Sequence, residues 1–104
     1  MDSQFLEAEM WLAKLEKRGA LRVLFYLYNK EQATITDLRK NVKVATDTLY
    51  STLELLLNLG LITKTEKETF PFATYYSLTD LGRDIAKHLA RIEEILARAE
   101  QRPG

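Results

Sequence analysis

The segment from residue 45 to residue 62 constrains the fold most, because it combines an amphipathic helix, a glycine stop and the start of a strand. Its leucines recur at spacings of three and four, which places them on one side of a helix; they are Leu49, Leu53, Leu56 and Leu57. The polar side chains fall mostly on the other side, namely Thr46, Asp47, Tyr50, Ser51 and Glu54. Gly60 stands where a helix end favours a left-handed residue, and Leu61 begins an extended pattern. We therefore expect one helix face in the core and one face free.

Composition limits the remaining possibilities. A chain of 104 residues builds one domain with a modest core. It contains no cysteine, its acidic N-terminus lacks the basic start and apolar run of a signal peptide, and no apolar run is long enough to cross a bilayer. We therefore expect a cytoplasmic protein without membrane contact. The formal net charge is zero, so nucleic-acid binding must be argued from local charge.

Two helices are predicted before this segment. The first spans residues 3–17, with Ser3 as its cap, and Gly19 prevents it from continuing. The second should be the most buried helix, since it is apolar almost all round. Its apolar residues are Leu21, Leu24, Phe25, Leu27 and Tyr28. A loop at residues 29–33 closes it.

A short helix should come directly before the amphipathic one. Thr36 is its predicted cap, and Leu38 and Val42 lie four residues apart on its inner side. A tight turn at residues 43–45 joins the two helices. Two short helices joined in this way have the layout of a helix-turn-helix.

The C-terminal part of the sequence predicts a hairpin and a long helix. Two runs rich in β-branched and aromatic residues, 61–66 and 73–78, are separated by a Phe-Pro-Phe segment at residues 70–72. Thr79 caps the final helix. We therefore expect a single domain over residues 1–104, divided into an N-terminal helix (3–17), a core (18–78) and a C-terminal helix (79–102).

Two sequence segments resemble those of known regulators. TLYSTLELLLNLGLI, residues 48–62, looks like the recognition-helix segment of PadR-like and MarR-like proteins, and YYSLTDLGRDI, residues 75–85, resembles the segment after the wing in PadR-like proteins. The resemblance covers roughly residues 20–90 and implies a winged helix-turn-helix transcriptional regulator of bacterial or archaeal type. Such a fold is mostly α with a two-stranded β wing and a long C-terminal dimerisation helix. It implies sequence-specific binding of double-stranded DNA and no cofactor.

Helix-turn-helix docking selects the candidate DNA-binding residues, because the second helix enters the major groove while the wing grips the flanking backbone. They are Arg39, Lys40, Lys43, Thr46, Asp47, Thr48, Tyr50, Ser51, Lys64 and Lys67. Lysines would contact phosphates and the polar side chains would read base edges, whereas Asp47 either accepts from cytosine or helps to cap the helix. Between residues 36 and 51 three bases face two acids, so one copy neutralises few phosphates.

The C-terminal helix predicts a homodimer. Its apolar residues alternate at spacings of four and three, as in a coiled-coil seam; they are Ile85, Leu89, Ile92, Leu96 and Ala99. The helix is too long for its distal half to rest on so small a core, so we expect the same helix of a second copy to cover it, with Trp11 alongside. Parallel and antiparallel pairing both remain possible, and a helix folded back on its own domain is the alternative.

Several residues allow two interpretations. Tyr50 either contacts DNA or packs on Leu38 or the wing. The phenylalanines of residues 70–72 form an apolar wedge for the minor groove or, as we favour, fold back on the core. His88 has no acidic partner at ligand spacing, so we expect no metal site. Four aromatic residues either line a pocket for a small planar effector or, as we favour, belong to the core; they are Trp11, Phe25, Tyr26 and Tyr28.

Two other classes of function compete with DNA binding. The sequence offers no phosphate-binding glycine loop, metal cluster or nucleophile elbow, so we do not expect an enzyme. A protein-interaction module that uses the winged helix only as a scaffold is the serious alternative, and the net neutrality of the chain favours it. The hydrogen-bonding edge formed by Thr46, Thr48, Tyr50 and Ser51 favours DNA binding instead.

Overall fold

The computed structural model describes residues 9–100 and shows a winged helix. Its helices are α1 (Ala20–Lys30), α2 (Ile35–Val42), α3 (Thr46–Asn58) and α4 (Asp80–Glu100), and its strands are β1 (Gln32–Thr34), β2 (Ile62–Glu66) and β3 (Thr74–Leu78). A 3-10 helical segment, Glu9–Glu16, precedes α1. The predicted fold class is therefore confirmed. Within the described residues, no helix is long and apolar enough to span a membrane.

The N-terminal segment differs from the predicted α-helix. Ser3, the predicted cap, lies outside the described residues, and Glu9–Glu16 forms a 3-10 helix with a non-helical Met10 (φ −83, ψ 26). Trp11 and Leu12 are 71% and 73% exposed, so few core contacts support a regular helix here. Gly19 ends the segment as predicted, with φ at +90°.

Helix α1 lies at the centre of the fold and contacts the N-terminal segment, all three other helices and strands β1 and β3. Ala20, Val23, Leu24 and Leu27 are fully buried. The helix is nevertheless not buried all round as predicted, because Leu21 is 46% exposed and the aromatic residues are only half-buried. Its buried stripe follows the 3.6-residue period of a helix packed on one side.

The sheet has one strand more than predicted. β3 lies between β1 and β2, and both pairings are antiparallel. The β2–β3 hairpin is the predicted wing, whereas β1 lies partly in residues 29–33, which were predicted to be a loop. β1 has three residues, with Ala33 opposite Tyr76. A strand this short is defined by its long-range partner rather than by its own pattern.

The cap of α2 is Thr34, not Thr36 as predicted. The Asp37 backbone N–H donates to Thr34 Oγ1 over 3.2 Å, and the Thr34 backbone N–H donates to Asp37 Oδ2 over 3.0 Å, which completes a capping box. The bond from the Thr34 backbone N–H to the carboxylate is the main cause that lowers the pKa of Asp37, and the Thr34 side chain lowers it further. Thr36 is left exposed in the first turn of α2.

The capping box predicts a pH-dependent stability. Because the folded-state pKa of Asp37 is depressed, its stabilisation is present above the unfolded-state pKa near 3.9 and is lost as the pH falls through the folded value. We expect wild type to have a higher Tm than Asp37→Asn at pH 7, and the difference to shrink steadily below about pH 4. Thermal unfolding of both proteins between pH 3 and 7 measures this. A Tm difference independent of pH would contradict it.

Two glycines and one threonine join α3, the wing and α4. Gly60 follows α3 with φ at +75°, as predicted. Thr79 is the predicted cap of α4, since its Oγ1 accepts from the Gly82 N–H over 3.0 Å and donates to the Gly60 carbonyl over 2.7 Å. Gly82 is buried against the backbone of Leu61. The C-terminal end of α3 and the N-terminal end of α4 are thus held together at the base of the wing.

Candidate nucleic-acid interface

Helix α3, the predicted recognition helix, has one buried and one exposed side. Leu49, Leu53 and Leu56 lie in the core, and the buried Thr52 donates from Oγ1 to the Arg18 carbonyl over 2.7 Å. Thr52 was not predicted, since only the fold brings Arg18 next to it. The exposed side carries a row of five side chains, Thr46, Asp47, Tyr50, Ser51 and Glu54. Thr48 is half-buried and stands apart from this polar row.

The turn between α2 and α3 brings a lysine to the surface in an unusual conformation. Lys43 has φ at +61° and ψ at +52°, the left-handed region that glycine and asparagine adopt most readily. Its side chain is exposed. Arg22 of α1 supports the turn, because its Nη1 donates to the Val42 carbonyl over 2.8 Å and lies 3.4 Å from the Lys43 carbonyl. Arg22 was not predicted, and no local pattern indicates it.

Three of the candidate residues surround one shallow polar groove. Arg39 and Lys40 from α2 and Thr46 from α3 line it, together with Thr36 and Val44. The groove has a volume of about 440 Å³. Two cations and the first residue of α3 are thus neighbours, although Lys40 and Thr46 are six positions apart in the sequence. Ala45 provides no side-chain cap, so no side chain satisfies the first N–H groups of α3.

The two lysines of the wing lie on opposite faces of the hairpin. Lys64 is opposite Tyr76 in the hairpin register, and alternation puts it on the sheet face that includes the buried Ile62 and Leu78. Lys67 belongs to the other face, where its Nζ lies 5.2 Å from the centre of the Tyr75 ring. Lys64 also approaches Glu66 at 3.9 Å. Of the two lysines, only Lys64 therefore lies on the sheet face that includes the buried residues.

Tyr50 connects the wing to α3. Burial raises the pKa of the Tyr76 hydroxyl, and the nearby Tyr50 hydroxyl and Glu66 carboxylate raise it further. The helix that carries Tyr50 packs against strand β2 of the wing. Tyr50 is 50% exposed, so it lies against the wing and also faces solvent. Both interpretations of Tyr50 therefore remain compatible with its position.

The Phe-Pro-Phe segment does not fold back on the core, contrary to the favoured prediction. Phe70 is 87% exposed and Phe72 is 71% exposed. The hairpin strands end at Glu66 and Thr74, so the segment lies at the tip, where the core of this small domain provides no surface to cover it. The wing tip, defined as residues 68–72, is thus an exposed aromatic end of the hairpin.

The histidine and the four aromatic residues lie in different parts of the domain surface. His88 is exposed, and its Nδ1 lies 2.8 Å from the Asp84 carbonyl of the same helix. In residues 9–100, no group of three or more His, Cys, Asp or Glu side chains is suited to hold a metal. Trp11 and Phe25 line different grooves, and the Tyr26 hydroxyl accepts from Asn41 Nδ2 at 3.2 Å.

The predicted dimer seam divides into two parts. Ile85 and Leu89 are half-buried against the domain's own core. From Arg91 to Glu100 every side chain is exposed, including Ile92 at 50% and Leu96 at 60%. The first part of the seam borders a groove of about 510 Å³ between α4 and the N-terminal segment, which we call the apolar groove; its lining includes Trp11, Leu12, Leu15, Leu61, Ile85, Leu89 and Ile92.

Solved structures of other regulators have the same fold. ZitR from Lactococcus lactis is 21% identical, with a TM-score of 0.74 over 95% of this chain and 74% of that chain. A transcriptional regulator homologue from Pyrococcus horikoshii is 19% identical, with a TM-score of 0.70 over 92% and 96% of the two chains. A structure described as a MarR-family regulator from Enterococcus faecalis is 18% identical, with a TM-score of 0.72 over 99% and 96%.

A sequence comparison identifies the family. The search against curated proteins finds no match. The family model for HxlR-like helix-turn-helix proteins matches residues 14–102, which is most of the chain. This match replaces the PadR-like part of the resemblance, whereas the MarR-like part agrees with the fold comparison. The chain belongs to the HxlR-like helix-turn-helix family.

Proposed function

We propose that this protein is a sequence-specific transcriptional regulator that binds double-stranded DNA as a homodimer, with α3 in the major groove and the wing on the flanking backbone. Its family implies DNA-binding regulation. The observation that carries the finer proposal is the exposed polar row of α3, on a helix whose opposite side is buried in the core. A helix that served only as a scaffold would not need this row.

The polar row has the chemistry for base readout. The hydroxyls of Thr46, Tyr50 and Ser51 both donate and accept, and the Asp47 carboxylate accepts, which suits the amino group of cytosine. Thr48 is half-buried and is the weakest member of the predicted set. Glu54 ends the row with a negative charge, so the N-terminal half of α3 is the half that enters the groove in this proposal.

Phosphate contacts come from several elements in this proposal. Arg39 and Lys40 border the polar groove beside Thr46, and Lys43 projects from the turn. The uncapped N-terminus of α3 adds backbone N–H groups and a positive helix dipole to the same region. Lys64 and Lys67 lie on the wing. These few cations predict modest affinity for one copy and a marked gain from two copies on a pseudo-palindromic site.

Fluorescence anisotropy over a salt series tests DNA binding through Lys43. We expect wild type to bind a duplex selected from random sequence, and Lys43→Glu to bind it about tenfold or more weakly at low salt, since it loses a phosphate contact and adds repulsion. The slope of log Kd against log salt concentration should fall by about one. Identical curves for wild type and Lys43→Glu, or no binding by wild type at low salt, would contradict the proposal.

Lys43→Gly provides the matched control for folding. Glycine relieves the left-handed strain at this position, so we expect it to raise the free energy of unfolding by about 1 kcal/mol. It should still reduce the salt slope by about one, because the phosphate contact is lost without added repulsion. A variant that is more stable yet binds DNA more weakly separates the role of the charge from that of the fold.

A further inference from the structure

The wing tip ends in three exposed apolar residues, Phe70, Pro71 and Phe72. The Lys67 N–H donates to the Ala73 carbonyl over 2.8 Å, which closes a five-residue loop with the sequence Glu-Thr-Phe-Pro-Phe. Phe70 and Phe72 are 87% and 71% exposed in this loop. Two large aromatic rings at the end of a closed hairpin thus lie outside the core, where they are accessible to a partner.

The wing tip lies at the end of a hairpin whose base packs against α3. The base of the hairpin is fixed, since Ile62 is 2% exposed and β2 packs against α3. Lys64 lies opposite Tyr76 in the register of the hairpin. At about 3.4 Å per residue, β2 carries the tip roughly 14 Å beyond Ile62. The tip therefore stands outside the domain at the end of a sheet face that begins at α3.

The chemistry of the tip matches the minor groove. Phe70, Pro71 and Phe72 have no side-chain polar group, and the walls of the minor groove are apolar deoxyribose rings with phosphates along their edges. Lys64 lies on β2 and Lys67 directly after its end, on opposite faces of the hairpin, so each would approach such phosphates from its own side. Apolar insertion would also supply affinity that the small excess of positive charge between residues 36 and 51 lacks.

We propose that Phe70 and Phe72 enter the minor groove beside the site bound by α3 and partly unstack a base step there, bending the duplex away from the wing. This inference rests on the proposed function and specifies how the wing contributes to it. Wedges of this kind favour pyrimidine–purine steps such as TA, which unstack most easily. The wing therefore adds sequence preference through DNA deformability, at positions flanking those that the polar row reads.

The test uses a duplex selected by the wild-type protein, with 2-aminopurine placed at successive flanking positions. We expect wild type to raise 2-aminopurine fluorescence at one flanking step in each half-site, because the base loses its stacking. The double variant Phe70→Ser, Phe72→Ser should abolish this signal and weaken binding about 10- to 100-fold. Phe70→Leu, Phe72→Leu keeps an apolar wedge and should retain most of both effects. Thr69→Ala, an exposed change in the same loop, should change neither.

The possible outcomes separate this inference from the proposed function. If wild type binds no duplex at low salt, the proposed function itself fails. If wild type binds but the serine variant has the same Kd and the same fluorescence, the wedge is wrong and DNA binding stands. If the serine variant loses affinity because it becomes monomeric in sedimentation while wild type is a dimer, the tip is a contact between copies and the wedge is again wrong. All substituted side chains are exposed, so we expect every variant to keep the wild-type Tm.

Discussion

Gly82→Ala is expected to destabilise the domain by about 3 kcal/mol or more, although alanine is the better helix former. A Cβ at this position would lie 1.9 Å from the Leu61 carbonyl oxygen and 2.8 Å from its carbonyl carbon. The obstacle is backbone rather than a flexible side chain. The same Leu61 oxygen accepts from the Thr79 N–H over 3.0 Å, so it cannot move away without breaking the connection between the wing and α4.

Thermal and urea unfolding of the full chain measure the effect. A loss of 3 kcal/mol corresponds to a fall in Tm of roughly 12 °C or more in a domain of this size. Gly60→Ala is the matched control: Gly60 has φ at +75° but nothing within 4 Å of an added Cβ, so only conformational strain of about 1–2 kcal/mol should appear.

The opposite result is equally informative. Helix propensity alone predicts that Gly82→Ala raises stability by up to about 1 kcal/mol. An unchanged or higher Tm would therefore show that α4 does not approach Leu61 this closely. It would also remove the argument that Gly60, Leu61, Thr79 and Gly82 form one rigid connection at the base of the wing.

The features that sequence predicted best depend on local chemistry. The leucine period of α3, the left-handed position of Gly60 and the cap at Thr79 are all present in the structure. Each depends on residues within one or two helical turns, so spacing and residue type suffice to indicate them. The capping box of α2 can also be read from sequence, since Thr34 and Asp37 have the required spacing, and the prediction of Thr36 overlooked it.

The features that were missed depend on long-range contacts. β1 exists because Ala33 pairs with Tyr76, which is 43 residues away in the sequence. Arg22 supports the α2–α3 turn across 20 residues, and Thr52 reaches the Arg18 carbonyl across 34. The exposure of the wing tip has the same origin, because phenylalanine is usually buried and only the fold shows that Phe70 and Phe72 lie outside the core. Spacing along the chain carries none of this information.

The double variant Ile92→Asp, Leu96→Asp is expected to convert a dimer into a monomer. Residues from Arg91 to Glu100 are all exposed, although Ile92 and Leu96 border a shallow groove with residues of α1. Ile92, Ile95 and Leu96 are 50%, 44% and 60% exposed on one side of this stretch. Burying each of these side chains would contribute about 1.5–3 kcal/mol to the free energy of association. The same helix of a second copy has an apolar side that could cover them.

The structure changes which residues this proposal needs. Ile85 and Leu89 were predicted as seam members but are already half-buried in their own domain, so the distal residues would carry the pairing. Trp11, 71% exposed beside the apolar groove, lies near Ile92 and would be covered together with it. Ala99 extends the same side of the helix by one further turn and is exposed. Two carboxylates in such an interface would leave unpaired buried charges, which cost several kcal/mol.

Sedimentation and DNA binding together test the dimer and its role. We expect wild type to sediment as a dimer at tens of micromolar and the double variant as a monomer that binds the selected duplex at least 100-fold more weakly, since two linked half-sites gain that much or more from avidity. The matched control is Lys87→Asn, Ala97→Asp. This control changes the net charge by the same amount, −2. Both of its positions are exposed, and they lie five residues before and after Ile92, about 140° around the helix from it. We expect the control to remain dimeric.

The two measurements fail in different ways. A wild type that is monomeric at these concentrations, or a double variant that stays dimeric, would refute pairing through α4. A monomeric double variant that binds DNA as tightly as wild type would leave the dimer in place but remove it from recognition. In that case one copy would supply all the affinity, and the contacts of Lys43, the polar row and the wing tip would have to account for binding without a second half-site.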